Sequence, residues 1–161
     1  MSVSPAIQEF LRHADVGYTV LPHRRAYTAR QEAAVVSVPE RFWAKVVTCF
    51  ADGEPVQAVV PADCEVDFEK LAVVIGVPHV RMATEDELEW LYPDCETGAM
   101  PPFGPLYRQL VFVDARLADD ERIAFNAGTF ANAVAMRFAD FVRLTHPTIS
   151  DFARLSNSVR R

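Results

Sequence analysis

The sequence predicts one α/β domain whose mixed sheet, curved or barrel-like, is surrounded by helices. Three observations carry this expectation. Hairpin signals and single capped helices share the chain, an order that mixes antiparallel with parallel strand pairing. Half of the 161 residues are apolar and 24% are charged, enough for a full core at single-domain size. No internal repeat, low-complexity run or linker divides the chain, so residues 1–161 read as a single domain with a frayed polar tail at about 154–161.

In chain order, Ser4-Pro5 followed by Ile7, Phe10, Leu11 and Ala14 opens a helix with a serine N-cap, proline at the first position and one apolar face; Gly17 ends it. Tyr18 to Leu21 is a short strand leading into Pro22-His23-Arg24-Arg25. Thr28 and Gln31 have capping-box spacing and open an alanine-rich helix that stops before Pro39; its small faces let it lie close to a neighbour. Phe42 to Ala51 and Val56 to Val60 are strands joined by the tight-turn pair Asp52-Gly53. Pro61-Ala62-Asp63 breaks the second strand, after which Val66, Phe68, Leu71, Ala72 and Ile75 have helical spacing closed by Gly76.

Val77 to Met82 is the next strand, and Thr84 with Glu87 caps a helix whose apolar side holds Leu88 and Leu91 before Pro93. A long loop without secondary structure of its own then runs from about Pro93 to Arg108, and loops of that length are disproportionately functional. Leu110 to Val113 and Arg122 to Phe125 are strands separated by the charged turn Asp119-Asp120-Glu121. Asn126-Ala127-Gly128-Thr129 interrupts the pattern, Asn132 to Phe138 is the last strand, and Asp140 to Leu144 is a short terminal helix before Pro147.

A net charge of −6 excludes a protein that coats nucleic acid, DNA included, through overall positive charge; contact with RNA phosphates rests on a local patch. Arg24, Arg25, Arg30, Arg41 and Lys45 make the first third of the chain locally basic, either a solvated face or a phosphate-binding strip. Cys49, Cys64 and Cys95 are odd in number and unspaced for pairing, which fits free thiols in a reducing compartment and a cytoplasmic location. No stretch approaches the ~20 apolar residues of a membrane helix. His13, His23, His79 and His146 are isolated, and no Cys/His cluster has metal-ligand spacing, so no metal or other cofactor is expected. Cys95 lies between Asp94 and Glu96, which oppose a thiolate nucleophile.

Two features remain as candidates for chemistry. Lys45 lies in Phe42-Trp43-Ala44-Lys45-Val46-Val47-Thr48-Cys49, a run apolar enough to be buried on both faces. Its ammonium either reaches the sheet edge, pairs with a carboxylate, or binds an anionic or carbonyl group in a pocket. The stretch Gly98-Ala-Met-Pro-Pro-Phe-Gly104 has glycines at both ends and two prolines that fix φ and remove N–H donors, which gives either a stiff connection or a stiff wall of bare backbone. His23 either contacts a ligand or caps a turn.

Lys45 with its apolar strand and Asp52-Gly53, the return Ala58-Val59-Val60-Pro61-Ala62-Asp63, the Gly98–Gly104 loop and the late Asn126-Ala-Gly-Thr129 together resemble the YbaK/ProX family. This family comprises aminoacyl-tRNA deacylases and the editing domain of bacterial prolyl-tRNA synthetase, and the resemblance runs from about Tyr18 to Phe152. It implies a barrel-like α/β domain that hydrolyses the ester bond of misacylated tRNA in trans. The mischarged tRNA acceptor end, and a synthetase, would be its partners. Lys45 would be the catalytic, substrate-orienting cation. Gly98, Met100, Pro101, Pro102, Phe103 and Gly104 would line the aminoacyl pocket, with Gly128, Thr129 and His23 completing the substrate-binding set. The family uses the terminal ribose hydroxyl of the tRNA to help activate water, so it needs no protein nucleophile. Editing insertions carry a histidine after the late glycine turn, whereas Phe130 to Met136 holds none, which implies a different amino-acid preference. A non-catalytic module that grips a tRNA end, an amino acid or a synthetase is the alternative.

Overall fold

The computed structural model describes residues 3–156. Its spine is a hairpin. β2 (Ala44–Ala51) and β3 (Glu54–Pro61) pair from Lys45↔Val60 to Ala51↔Glu54, and Asp52 and Gly53 close the turn at φ 51° and 84°. Only residues that tolerate positive φ can hold such a two-residue turn. Phe42 lies outside the strand, in a one-turn 3-10 helix at Glu40–Phe42.

Before the hairpin, α1 (Pro5–Ala14) starts where Ser4 Oγ accepts the Ile7 amide; it ends at Asp15, whose left-handed backbone halts it ahead of Gly17. β1 (Tyr18–Pro22) follows, then α2 (Ala29–Val35). The capping at its start is split: Thr28 accepts from the Gln31 amide, while the Gln31 side chain reaches back to Tyr27 N–H.

After the hairpin, β4 (Cys64–Val66) takes Val66 out of the expected helix, and α3 (Phe68–Ile75) runs from an Asp67 cap to Gly76 at φ 87°. β5 (Val80–Met82) and α4 (Glu85–Leu91) come next, the latter with both arms of the Thr84–Glu87 box made. The long loop is not wholly irregular, because Gly104–Tyr107 forms a 3-10 turn. β6 (Leu110–Asp114) is followed by the unforeseen α5 (Ala115–Ala118), then β7 (Arg122–Asn126) and β8 (Asn132–Arg137). Phe138 opens α6 (Phe138–Thr145) rather than ending a strand. β8 is not the last strand: β9 (Thr148–Ser150) and β10 (Ala153–Leu155) follow. Of the tail expected to fray, Arg154 and Leu155 pair with Glu65 and Cys64, and 157–161 lie outside the described residues.

The sheet is mixed, as expected. In the order β5-β2-β3-β6-β9, β2 pairs antiparallel with β3 and β5, whereas β3-β6 and β6-β9 are parallel. A second, antiparallel sheet has the order β1-β8-β7, and β10-β4 makes a third. The sheets remain open and do not close into a barrel; a single bridge, Trp43 to Ala124, joins the two larger ones. Among the described residues no helix is long and apolar enough to cross a membrane.

The largest core cluster packs Ile7 and Leu11 of α1 and Phe141 of α6 with Phe103, Val113, Phe125 and Met136. Each such side chain contributes roughly 1.5–3 kcal/mol by leaving water. A second cluster lies under α3, around Leu71, Val60, Cys64 and Phe152. The third sets Trp43 among Ala33, Ala62, Ala124 and Ala133. Those alanines let α2 close onto the junction of the two larger sheets. Asp114, fully buried, accepts from the Arg116, Phe152 and Ala153 amides and pairs with the Arg116 guanidinium, which ties the C-terminal segment to β6.

Candidate functional site

A cavity of about 470 Å³ opens where α2, the start of β2, the end of β7 and the Gly98 loop meet. Lys45, Glu32, Asn126, Gly98 and Met100 all line it. Lys45 is there because β2 turns alternate residues to one side, so it follows the buried Trp43 toward α2. Its Nζ donates to the Cys64 carbonyl at 2.6 Å, and no carboxylate among the described residues forms an ion pair with it. Burial pulls the Lys45 pKa below that of a free lysine; the nearby carboxylates of Glu65 and Asp63 oppose this. The ammonium therefore sits at the cavity wall with only part of its donor capacity used.

Glu32 projects from α2, and only 2% of the residue remains exposed. Its Oε1 accepts from Asn126 Nδ2 at 3.1 Å, while its Oε2 has no partner, and Asn126 Oδ1 is likewise buried without one. Burial pushes the carboxyl up to about 8, a shift the Asn126 hydrogen bond only partly offsets. Sequence reasoning named Asn126 only as part of the late Asn126–Thr129 turn and missed Glu32. The available signal was one carboxylate on the apolar face of an alanine-rich helix, where Ala29 and Ala33 flank it.

Of the Gly98–Gly104 stretch, only Gly98 and Met100 line this cavity. The rest anchors them. The Pro101 carbonyl accepts from Gln57 Nε2 at 3.0 Å, and Pro102 is buried. Phe103 is fully buried in the core, its ring centroid 5.2 Å from those of both Phe10 and Phe125. At Gly104 an added Cβ would press into the Gln109 carbonyl oxygen, so glycine is required by close backbone approach.

Gly128 and Thr129 line a separate depression with Ser4, Asp94 and Cys95. They brace the cavity wall from behind: Gly128 N–H donates to the Ala99 carbonyl, and Glu96 N–H donates to the Gly128 carbonyl. Thr129 Oγ1 accepts from Ala131 N–H and Asn132 Nδ2. His23 has Nδ1 2.6 Å from the Arg24 carbonyl and a buried Nε2 without a partner, and it is not among the residues that line the cavity. The basic strip is partly neutralised, since Arg25 pairs with Glu96 and Arg30 with Glu40. Burial raises all three cysteine thiols to about 12, so none is a thiolate near neutrality.

Residues 23–144 match the family model of the aminoacyl-tRNA editing domain. The chain is 32% identical over 116 residues to the multifunctional Ser/Thr-tRNA deacylase ProXp-y of Escherichia coli strain K12, spanning 69% of each protein. It is 30% identical over 109 residues to the proline–tRNA ligase of Nitratidesulfovibrio vulgaris strain Hildenborough, across 68% of this chain and 19% of the ligase. A crystal structure of a candidate trans-editing enzyme for prolyl-tRNA synthetase has the same fold, with a TM-score of 0.82 and 21% identity over 95% of this chain and 99% of that one.

Proposed function

The chain belongs to the aminoacyl-tRNA editing family, and from that premise we propose that it is a trans-acting deacylase that hydrolyses the ester bond of misacylated tRNA. The observation that carries this reading is the convergence of Lys45 and the Gly98–Met100 backbone on one cavity large enough for a terminal nucleoside and a small aminoacyl group. Lys45 orients the acceptor end, its spare N–H donors meeting phosphate or ester oxygen. Gly98, at φ 92° with the Phe130 ring packed against where a Cβ would stand, offers only main chain to the ester, and Met100 sets the depth of the aminoacyl pocket.

Water is the nucleophile in this reading, since no cysteine among the described residues lines the cavity. Its oxygen bonds to the ester carbonyl carbon, the bond from that carbon to the ribose oxygen breaks, and a proton passes from the water to that ribose oxygen. An aminoacyl ester is already activated, so positioning and fixed donors at the developing oxyanion can supply much of the acceleration. Pro101, Pro102, Phe103 and Gly104 keep the wall rigid, and Gly128 and Thr129 brace it from outside, which suits discrimination by shape. The wall and the relative's stated specificity favour small hydroxylated amino acids as substrates. The mischarged tRNA acceptor end is the partner, prolyl-tRNA synthetase the synthetase it would serve, and the cytoplasm the place of action.

A panel of cognate and mischarged aminoacyl-tRNAs incubated with the protein tests this. Release of one or a few amino acids well above buffer hydrolysis is expected, seryl and threonyl esters among them. Binding of the panel without turnover would replace the deacylase by a non-catalytic module of the same fold.

A further inference from the structure

We propose that Glu32 and Asn126 form the site that receives the α-ammonium group of the aminoacyl ester, an assignment that rests on the deacylase reading. Two polar atoms, Glu32 Oε2 and Asn126 Oδ1, are buried without partners in residues that line the cavity. Buried polar atoms of this kind are ordinarily satisfied, so the pair points to a polar ligand. Asn126 Nδ2 is committed to Glu32 Oε1, which leaves its Oδ1 as the unpartnered atom. The two unpartnered atoms thus belong to one hydrogen-bonded unit on the cavity lining.

An ammonium matches this unit better than a hydroxyl does. A hydroxyl can satisfy the neutral pair but carries no charge to draw the proton off the carboxyl, whereas an ammonium brings three donors and a positive charge that favours the carboxylate. Every aminoacyl ester carries that group, whatever its side chain. Lys45 stands on the same cavity as a cation suited to phosphate or ester oxygen, so the site offers opposite polarity to the two ends of its ligand. Burial keeps the Glu32 carboxyl protonated in the empty cavity. When the ammonium enters, the carboxyl loses its proton to solvent and the two form a buried ion pair, with no net change of charge inside the site.

The test uses tRNA minihelices whose terminal ribose carries serine in a non-hydrolysable amide link, and the matching probe with the α-amine replaced by hydrogen. Titration calorimetry near pH 7 in buffers of different ionisation enthalpy reads affinity and proton release together. The wild-type protein should bind the amine probe about 10–100-fold more tightly than the des-amino probe, as suits a hydrogen-bonded charge. Only the amine probe should release close to one proton. Glu32→Gln, which keeps the shape, should abolish both the preference and the proton release while binding the des-amino probe normally. Equal wild-type affinity for the two probes without proton release would overturn the ammonium site and leave the deacylase reading standing. Failure to bind either probe would overturn both.

Discussion

Gln57 of β3 donates through Nε2 to the Pro101 carbonyl at 3.0 Å and to the Tyr92 hydroxyl at 3.2 Å. The Tyr92 hydroxyl donates to Gln109 Oε1 at 2.7 Å and meets Thr48 Oγ1 at 2.8 Å. A buried polar knot thus fastens the Gly98–Gly104 loop to the main sheet. Replacing Gln57 with Leu strands the Pro101 carbonyl, and a buried unsatisfied acceptor costs about 1–3 kcal/mol. We expect that loss in urea unfolding, with faster hydrogen exchange at Ala99 and Met100.

Lys45→Ala should lower kcat/KM for deacylation by about 10–100-fold, the value of a charge-assisted hydrogen bond. Burial lowers the Lys45 pKa, and the cation exists below that pKa. Activity of the wild type should therefore decline on the alkaline side at a pH below the ordinary lysine range. Initial rates across pH, corrected for spontaneous ester hydrolysis, check both statements.

The carboxyl of Glu32 titrates at about 8 when folded, against an ordinary value of 4.5. Between those values the folded chain holds a proton that the unfolded chain has released, so the contribution of this group to stability is fully present below 4.5 and is lost as pH rises through 8. Asp120, raised by burial to about 6, adds a fall in the same direction at lower pH. Denaturant midpoints measured from pH 5 to pH 8.5 should decline for the wild type. Glu32→Gln should remove most of the decline above pH 6.

Two glycines make a matched pair. Gly104→Ala forces a methyl against the Gln109 carbonyl oxygen and the Val111 side chain, and should cost about 1–3 kcal/mol. Gly17→Ala meets nothing within 4 Å and should be neutral or stabilising by about 0.4–1 kcal/mol. Thermal melts of the two variants decide this.

Most of the fold was legible because its main elements carry local punctuation. Ser4-Pro5, Asp52-Gly53, Gly76 and the Thr84–Glu87 box each specify a cap or turn within a few residues, and all formed. Strands of three residues, such as β4, β9 and β10, are too short for alternation to register, and their pairing is set by Asp114 and by neighbours distant in sequence. The site divided in the same way. Lys45 stood out against an apolar strand, but Glu32 resembled any helical glutamate until α2 was laid on Trp43. The loop was found, whereas the split between lining and anchoring residues depends on contacts such as Phe103 with Phe125, which only the packed core reveals.

The pairing of β1 with β8, Tyr18 against Met136, joins chain segments far apart in sequence, whereas the β2–β3 hairpin closes through two residues. Closing the long connection carries the larger loop entropy, so the hairpin should form early and the β1-β8-β7 sheet late. The cavity needs both, with Lys45 from the first and Asn126 from the second. Any ligand of this cavity can therefore bind only after the slow half of folding is done, and the recovery of binding after dilution from denaturant should lag behind the return of hairpin structure.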